Sequence, residues 1–180
     1  MINENDIAAL GAFQCGTVDT DKIVFSEEVR KLCEANSCGR YGTNWACPPA
    51  VGPVEECRKR ALEYEKGIVF SGKYELEDSF DWEGMMEGHS SFKKLCALVR
   101  AKAKECGEDF LLLSNEGCGK CEDCTYPDAP CRFPEERSAP VEAYGIFVNK
   151  LAASAGINYI NGKNTVTYIG MLLYGRKDAV

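Results

Sequence analysis

Four cysteines lie close together in the segment 117–134, and this segment constrains the chain more than any other part of the sequence. The segment reads GCGKCEDCTYPDAPCRFP. Its cysteines are Cys118, Cys121, Cys124 and Cys131. Two residues separate each of the first three from the next, and six residues separate the third from the fourth. A loop with this spacing brings three sulfur atoms to one small centre, as in loops that bind cubane iron–sulfur clusters.

The same four thiols are compatible with two other arrangements. A structural zinc ion takes four thiolates, although such sites usually use two C-x-x-C pairs held well apart. A disulfide framework is disfavoured, because the count of eleven cysteines is odd and no secretory signal is recognisable. The spacing therefore favours a four-iron cluster, [4Fe-4S], with zinc as the alternative.

Composition and charge exclude several classes of function. The chain has 180 residues and a net charge of −7, so it lacks the basic surface needed to bind nucleic acid or anionic membranes. The N-terminus carries no signal peptide and no apolar run is long enough for a membrane span, which predicts a cytoplasmic protein. The single histidine, His89, excludes a site built from several histidines and is expected to be a solvated residue at a helix start.

Three further cysteines flank a glycine-rich segment earlier in the chain. Cys33, Cys38 and Cys47 are separated by four and eight residues, and Cys47 is followed by Pro48 and Pro49. Proline after a ligating cysteine is typical of ferredoxin loops. These thiols are therefore candidates for a second cluster, and a packed glycine-rich loop without metal is the alternative.

Cys57 is the candidate for the fourth ligand of this earlier set. It also fits the apolar stripe of the helix in which it lies, so the core interpretation has equal support, and we favour an open fourth position. Chemistry at a metal needs such an open position. Arg40 and Trp45 are expected to line the exposed side of this site, where Arg40 would hold an anion and Trp45 would cover the centre. Simple packing within the loop is the alternative for both.

The order of the predicted elements indicates an α/β protein, with α+β as the alternative. The predicted strands are Ile7–Phe13, Lys22–Phe25, Ile68–Leu76, Phe110–Leu113, Ile157–Ile160 and Thr165–Leu173. The predicted helices begin at the N-cap Ser26, at Pro53, at Ser90 and at Pro140. The strand Phe110–Leu113 is apolar throughout, so we expect it inside the sheet, with the later cysteine loop directly after it. Asn161-Gly162 predicts a C-terminal β-hairpin.

These elements predict one domain over residues 1–180. We expect a mixed sheet with flanking helices and two cysteine-rich metal-binding loops, one for each set of thiols. No dinucleotide fingerprint, P-loop or nucleophile elbow is present, so the sequence gives no support to a nucleotide site or a serine nucleophile.

Four segments of the chain resemble a known family. They read CGRYGTNWACPP, CGKCEDCTYPDAPCRFPE, EAYGI and NGKNTVTYIGMLLY. In this order they are similar to the cysteine-rich "predicted metal-binding protein" family, a domain-of-unknown-function family seen mainly in anaerobic bacteria and archaea. The resemblance runs from about Cys33 to Tyr174 and implies a cytoplasmic, metal-binding, iron–sulfur protein without an assigned reaction. It assigns metal binding to Cys33, Cys38, Cys47, Cys118, Cys121, Cys124 and Cys131.

Three classes of function are consistent with these features. The first is an iron–sulfur redox protein with one or two four-iron clusters, which transfers electrons or acts as an oxidoreductase on a small molecule. The second is a structural zinc protein. The third is a carrier or assembly factor that holds a metal or sulfur species and hands it on. In the first class the electron donor is expected to be another protein, because no nucleotide-binding motif is present.

Overall fold

Strands from both halves of the chain form one mixed sheet. The computed structural model describes residues 1–115 and 117–177, and within them the sheet has five strands. These are β1 (Gln14–Asp19), β2 (Tyr64–Glu75), β3 (Leu111–Ser114), β4 (Ala139–Pro140) and β5 (Thr165–Arg176). They lie in the order β1-β2-β5-β3-β4. The β3–β4 pair is parallel, whereas β1–β2, β2–β5 and β3–β5 are antiparallel.

Helices cover both faces of this sheet. They are α1 (Glu4–Ala9), α2 (Glu27–Glu34), α3 (Val54–Leu62), α4 (Trp82–Glu105) and α5 (Val148–Ser154). Three short 3₁₀ turns span Thr20–Lys22, Pro134–Glu136 and Glu142–Tyr144. Residues of α1 and α4 pack on one face of the sheet, and residues of α3 and α5 pack on the other. The predicted mixed sheet with flanking helices is therefore confirmed.

The strand before the later cysteine loop lies inside the sheet, as predicted. β3 has β5 on one side and β4 on the other. Leu112 belongs to the core beneath α4, and Leu113 belongs to the core on the opposite face. Because both faces of the strand are buried, its residues form a continuous apolar run rather than an alternating one.

The N-terminal strand prediction is wrong. Residues 4–9 form α1, and the first strand begins only at Gln14. Asn3 Oδ1 accepts from the Asp6 amide at 3.3 Å, and the Asn3 amide donates to Asp6 Oδ2 at 3.0 Å. This reciprocal capping box starts a helix where the apolar run alone suggested a strand. The predicted strand Lys22–Phe25 is also wrong, since Phe25 makes one isolated bridge to Ile146.

The predicted C-terminal hairpin does not form. Residues 157–160 are irregular, and β5 pairs with β2 and β3 instead. Met171 and Leu172 of β5 are both fully buried, on opposite faces, so this strand requires a position in the middle of the sheet. Ile160, in the segment predicted to pair with β5, is 81% exposed, so this segment offers β5 no buried surface. The Asn161 side chain closes the irregular segment by donating to the Asn158 carbonyl at 3.0 Å.

Helix starts are predicted with mixed success. Ser26 caps α2 as expected, since its Oγ accepts from the Glu28 amide at 3.1 Å. The helix predicted from Pro140 is a 3₁₀ turn followed by Gly145, which has a φ of 75°, and α5 begins only at Val148. No helix among residues 1–115 and 117–177 is both long and apolar enough to cross a membrane.

Candidate metal centre

The later cysteine loop leaves the end of β3 and returns to the sheet at β4. Its four thiols line one cavity of about 310 Å³. These are Cys118, Cys121, Cys124 and Cys131. Each of them is partly buried and each is a free thiol. The cations Arg40, Lys120 and Arg137 lie on the same cavity wall, where they would offset the negative charge of bound thiolates.

Two cations of α4 hold the two ends of this loop. Lys93 Nζ donates to the carbonyl oxygens of Asn115, at 2.5 Å, and Gly117, at 2.6 Å. Arg100 Nη1 donates to the carbonyl oxygen of Glu135 at 2.9 Å. Residues 93 and 100 lie two helical turns apart and so share one face of α4. The ends of the loop are therefore anchored by the protein itself, through contacts that sequence reasoning missed.

The earlier cysteines line a second cavity, also of about 310 Å³. Cys33 lies in the last turn of α2, Cys38 is exposed, and Cys47 is buried. Much of the remaining wall is apolar and includes Val29, Leu32, Pro48, Pro140 and Ala143. The structure thus brings each predicted set of thiols to its own cavity.

The two cavities are neighbours. Arg40 and Gly117 line both of them. The backbone N–H of Gly117, at the start of the later loop, hydrogen-bonds to the Cys47 thiol and lowers its pKa, against a larger rise caused by burial. A Cβ atom on Gly117 would lie 3.8 Å from Arg40 Cδ, so the Arg40 side chain passes close to this backbone.

Trp45 lies on the cavity of the other cysteine set. It was expected beside Cys33, Cys38 and Cys47, but it lines the cavity of the later loop. Its Nε1 donates to the Ala129 carbonyl at 3.0 Å, and its ring meets that of Tyr126 edge-on, with the centroids 5.0 Å apart. The early loop therefore reaches across to the later loop. Arg40 lies between the two cavities rather than at one of them.

Cys57 lies in the core of the sheet face that carries α3 and α5. Its side chain is fully buried. Arg60 Nη2 donates to its Sγ at 3.1 Å, and the thiol lies 3.7 Å from the Val51 carbonyl. These contacts favour the core interpretation, because they occupy the thiol away from the wall that Cys33, Cys38 and Cys47 share.

Changing Cys57 to Ala is expected to leave the metal content of the anaerobically purified chain unchanged and to lower the free energy of unfolding by about 1–3 kcal/mol. The cost arises from a small cavity and from the lost contact with Arg60. Anaerobic metal analysis and urea denaturation measure the two effects. Cys96→Ala, at a buried thiol on the opposite face of the sheet, is the matched control. Loss of bound metal in the Cys57 variant alone would contradict the core interpretation.

A family model matches residues 16–174 of the chain under the description "Predicted metal-binding protein (DUF2284)". The chain belongs to this family. No curated protein and no solved structure matches it significantly. Membership confirms the resemblance seen in the four sequence segments and supports metal binding, and the family description names no particular metal.

The thiols of this family member are distributed over cavity walls. Within residues 1–115 and 117–177, no group of three or more Cys, His, Asp or Glu side chains is placed to hold a single metal ion. The thiols instead line the walls of two cavities. Thiolates are the usual protein ligands of a four-iron cluster, so the residues present would fit such a group.

Two further side chains on these cavity walls were missed or misplaced by sequence reasoning. His89 lies within α4 rather than at a solvated helix start, lines the cavity of the later loop and meets the Tyr168 ring edge-on at 5.8 Å. Glu142 lines the cavity of the earlier cysteines. Burial, with a smaller contribution from the Glu142 carboxylate, raises the pKa of the Cys33 thiol to about 11. A metal bound there would therefore have to displace a proton.

The turn that carries Glu142 is tied to α2. Arg30 Nη2 donates to the Ala143 carbonyl at 2.5 Å, and the Ser26 amide donates to the Gly145 carbonyl at 2.7 Å. Because Cys33 lies on the same helix as Arg30, these bonds fix Glu142 relative to the Cys33 thiol. In the sequence, the feature that pointed to this turn was the segment EAYGI, which is one of the four segments that carry the family resemblance.

Changing Gly145 to Ala is expected to lower the free energy of unfolding by about 2–4 kcal/mol. The residue has a φ of 75°, and an added Cβ would lie 2.9 Å from Val54 Cγ1 and 3.0 Å from the Ser26 carbonyl oxygen. Gly156→Ala is the matched control, since its φ is 69° and its Cβ would meet nothing within 4 Å. Urea denaturation should give the control a cost of about 1–2 kcal/mol. Equal costs for both variants would contradict the packing argument.

Proposed function

We propose that the chain is an iron–sulfur redox protein with two four-iron centres. The observation that carries this proposal is the arrangement of the thiols. Four line one cavity, three line the next, and the two cavities share Arg40 and Gly117. Electron transfer falls steeply with distance, so centres in adjoining cavities suit transfer of electrons from one to the other.

The two centres have different roles in this proposal. In the later centre, four cysteine thiolates would give each of the four irons one protein ligand and leave none open. Such a centre suits an electron relay. Three thiolates leave one position of the earlier centre without a cysteine, and Cys57 is occupied by core contacts. A metal with such a position can bind and reduce a small molecule. The largely apolar wall of this cavity would lower the polarity around that position.

The protein contributes charge and orientation to this chemistry. A four-iron cluster, when bound, supplies single electrons. Arg40 offsets negative charge at both cavities and can hold an anionic substrate at the earlier one. Hydrogen bonds from Asn44 and from the Gly117 amide to the Cys47 sulfur favour a more positive reduction potential. A protein redox partner in a reducing cytoplasm is the electron source in this proposal, which makes the chain an oxidoreductase.

Anaerobic metal and sulfide analysis with EPR spectroscopy tests the proposal. The full chain, purified without oxygen, should be brown and contain about eight irons and about eight acid-labile sulfides, two clusters of four. On reduction, two neighbouring paramagnetic centres should broaden each other's EPR signals. A colourless protein that contains zinc would overturn the proposal in favour of a structural role. Rapid loss of all metal to an acceptor protein would overturn it in favour of a carrier.

A further inference from the structure

A third cavity, of about 500 Å³, opens beside the start of β3 and has no cysteine on its wall among the described residues. Its volume lies within the range of roughly 300–1,000 Å³ that is usual for small-molecule sites. Four cations line it, and we therefore call it the cationic cavity; they are Arg60, Arg100, Lys104 and Arg137. The chain as a whole carries a net charge of −7, so this concentration of positive charge differs from the average of the molecule.

The positive charge of the cationic cavity is not balanced by the carboxylates on its wall. Within residues 1–115 and 117–177, none of the four cations forms an ion pair. Three carboxylates also line the cavity, but two of them pair with other cations. Glu108 lies 3.4 Å from the N-terminal ammonium of Met1, and Asp109 pairs with Arg176. Glu135 alone remains to oppose four cations, so the wall has an excess of positive charge.

The protein holds two of the guanidinium groups in place. Arg60 Nη2 donates to the Val51 carbonyl oxygen at 2.6 Å, and Arg60 Cζ lies 5.4 Å from the centre of the Tyr144 ring. Arg100 Nη1 donates to the Glu135 carbonyl oxygen at 2.9 Å. Both arginines are partly buried. These bonds orient each guanidinium but use only some of its five N–H donors, and neutral acceptors leave its charge in place. The remaining donors suit an anion.

The rest of the wall indicates which kind of anion fits. Its apolar residues include Val51, Phe110, Leu111, Pro134 and Ala139. A phosphate ester carries a charge of about −1.5 to −2 at neutral pH and accepts through three oxygens, so it can pair with several cations at once. A single carboxylate matches only one guanidinium. We propose that the cationic cavity binds an organic phosphate, with the phosphate among the cations and the organic part against the apolar wall. This inference depends on neither the metal nor the redox role.

No sequence motif could have revealed this site. Its cations come from α3, from α4 and from the segment before β4, and only the fold brings them together. P-loop and dinucleotide motifs detect glycine-rich loops that bind phosphate through backbone N–H groups. The cationic cavity would bind phosphate through side chains, so the absence of those motifs is consistent with the proposal.

Calorimetric titration of the full-length, anaerobically purified chain tests the ligand class. The probes are phenyl phosphate, inorganic phosphate and phenol. Phenyl phosphate should bind about tenfold more tightly than inorganic phosphate, because its ring would be buried against the apolar wall. Phenol lacks the anion and should show no measurable binding. If inorganic phosphate binds as tightly as phenyl phosphate, the organic part of the proposal is wrong.

Variants of the wall test the location. Lys104→Gln removes an exposed cation that forms no ion pair in the described chain, so the fold should persist and the affinity for phenyl phosphate should fall about fivefold. Lys102→Gln is the matched control. It removes the same charge from the same helix, but Lys102 is not on the wall and pairs with Glu105 at 3.9 Å. Its affinity should equal that of wild type. Arg60→Gln should lose about tenfold or more, because charge-assisted bonds to phosphate are lost.

A double variant keeps the test decisive if Arg60→Gln is too unstable to titrate. Lys104→Gln combined with Arg137→Gln changes two exposed side chains and should also lose about tenfold or more. Wild type that does not bind phenyl phosphate would overturn the proposal, as would equal affinity of wild type and all wall variants. Weaker binding in Arg40→Gln instead of the wall variants would place the anion at the cysteine cavities and would also overturn it.

Discussion

Changing Cys121 to Ser is expected to remove about four irons and about four sulfides per chain while the other centre stays loaded. Cys121 is the middle member of the closely spaced triplet, and a serine hydroxyl is a poor replacement for a thiolate at iron. The converse change, Cys38→Ser, should remove a similar amount of iron from the earlier centre. Anaerobic metal analysis and EPR of each variant and of the double variant measure the effect.

Cys106→Ser is the control for these two variants. Cys106 caps the C-terminal end of α4 and packs against the core beneath that helix, so its loss should leave the iron content at the wild-type value. The double variant should contain almost no iron. If Cys121→Ser keeps all of its iron and sulfide, the thiols of the later loop are not cluster ligands. If either single variant loses the iron of both centres, the two cavities do not load independently.

Local patterns made the grouping of the cysteines predictable in outline. Spacing along the chain was enough to divide seven cysteines into two sets, because residues in one short loop must end near one another. The apolar run Phe110–Leu113 was enough to place an internal strand before the later loop. The N-cap Ser26 was enough to start α2. Each of these inferences uses interactions between residues that are close in sequence.

Contacts between distant segments were not predictable in this way. Trp45 hydrogen-bonds to Ala129, 84 positions away in the sequence, and this contact places its side chain at the cavity of the later loop. Lys93 contacts the later loop because the fold places α4 beside it, and the turn that carries Glu142 is positioned by α2. No periodicity in the sequence specifies either placement. The hairpin prediction failed for the same reason, since Asn161-Gly162 is a turn signal but β2 and β3 offered β5 a larger apolar surface.

Removal of the metal by anaerobic chelation is expected to make the interior of the later loop sensitive to trypsin, with cleavage after Lys120 and Arg132. Ordering each residue of such a loop costs about 1–2 kcal/mol of backbone entropy, and the segment buries little apolar surface to offset this. Structural metals contribute on the order of 10 kcal/mol in small domains, so metal bonds are expected to keep the loop ordered. β3 and α4 should stay intact, because their apolar residues are buried in the sheet core.

A variant of the α4 anchor separates the contribution that bound metal makes to the order of the later loop from the contribution of the protein contacts. In Lys93→Met the start of the loop loses the ammonium donor to the Asn115 and Gly117 carbonyls, at a cost of about 1.5–3 kcal/mol. Metal-free Lys93→Met should therefore be cleaved roughly 10- to 150-fold faster than metal-free wild type, because local opening becomes more frequent by that free energy. Lys94→Met, at the exposed neighbouring lysine, should be cleaved at the wild-type rate. Mass spectrometry of the fragments gives the sites and rates. Equal resistance of metal-free and metal-loaded chains would mean that Lys93 and Arg100 hold the loop without help from bound metal.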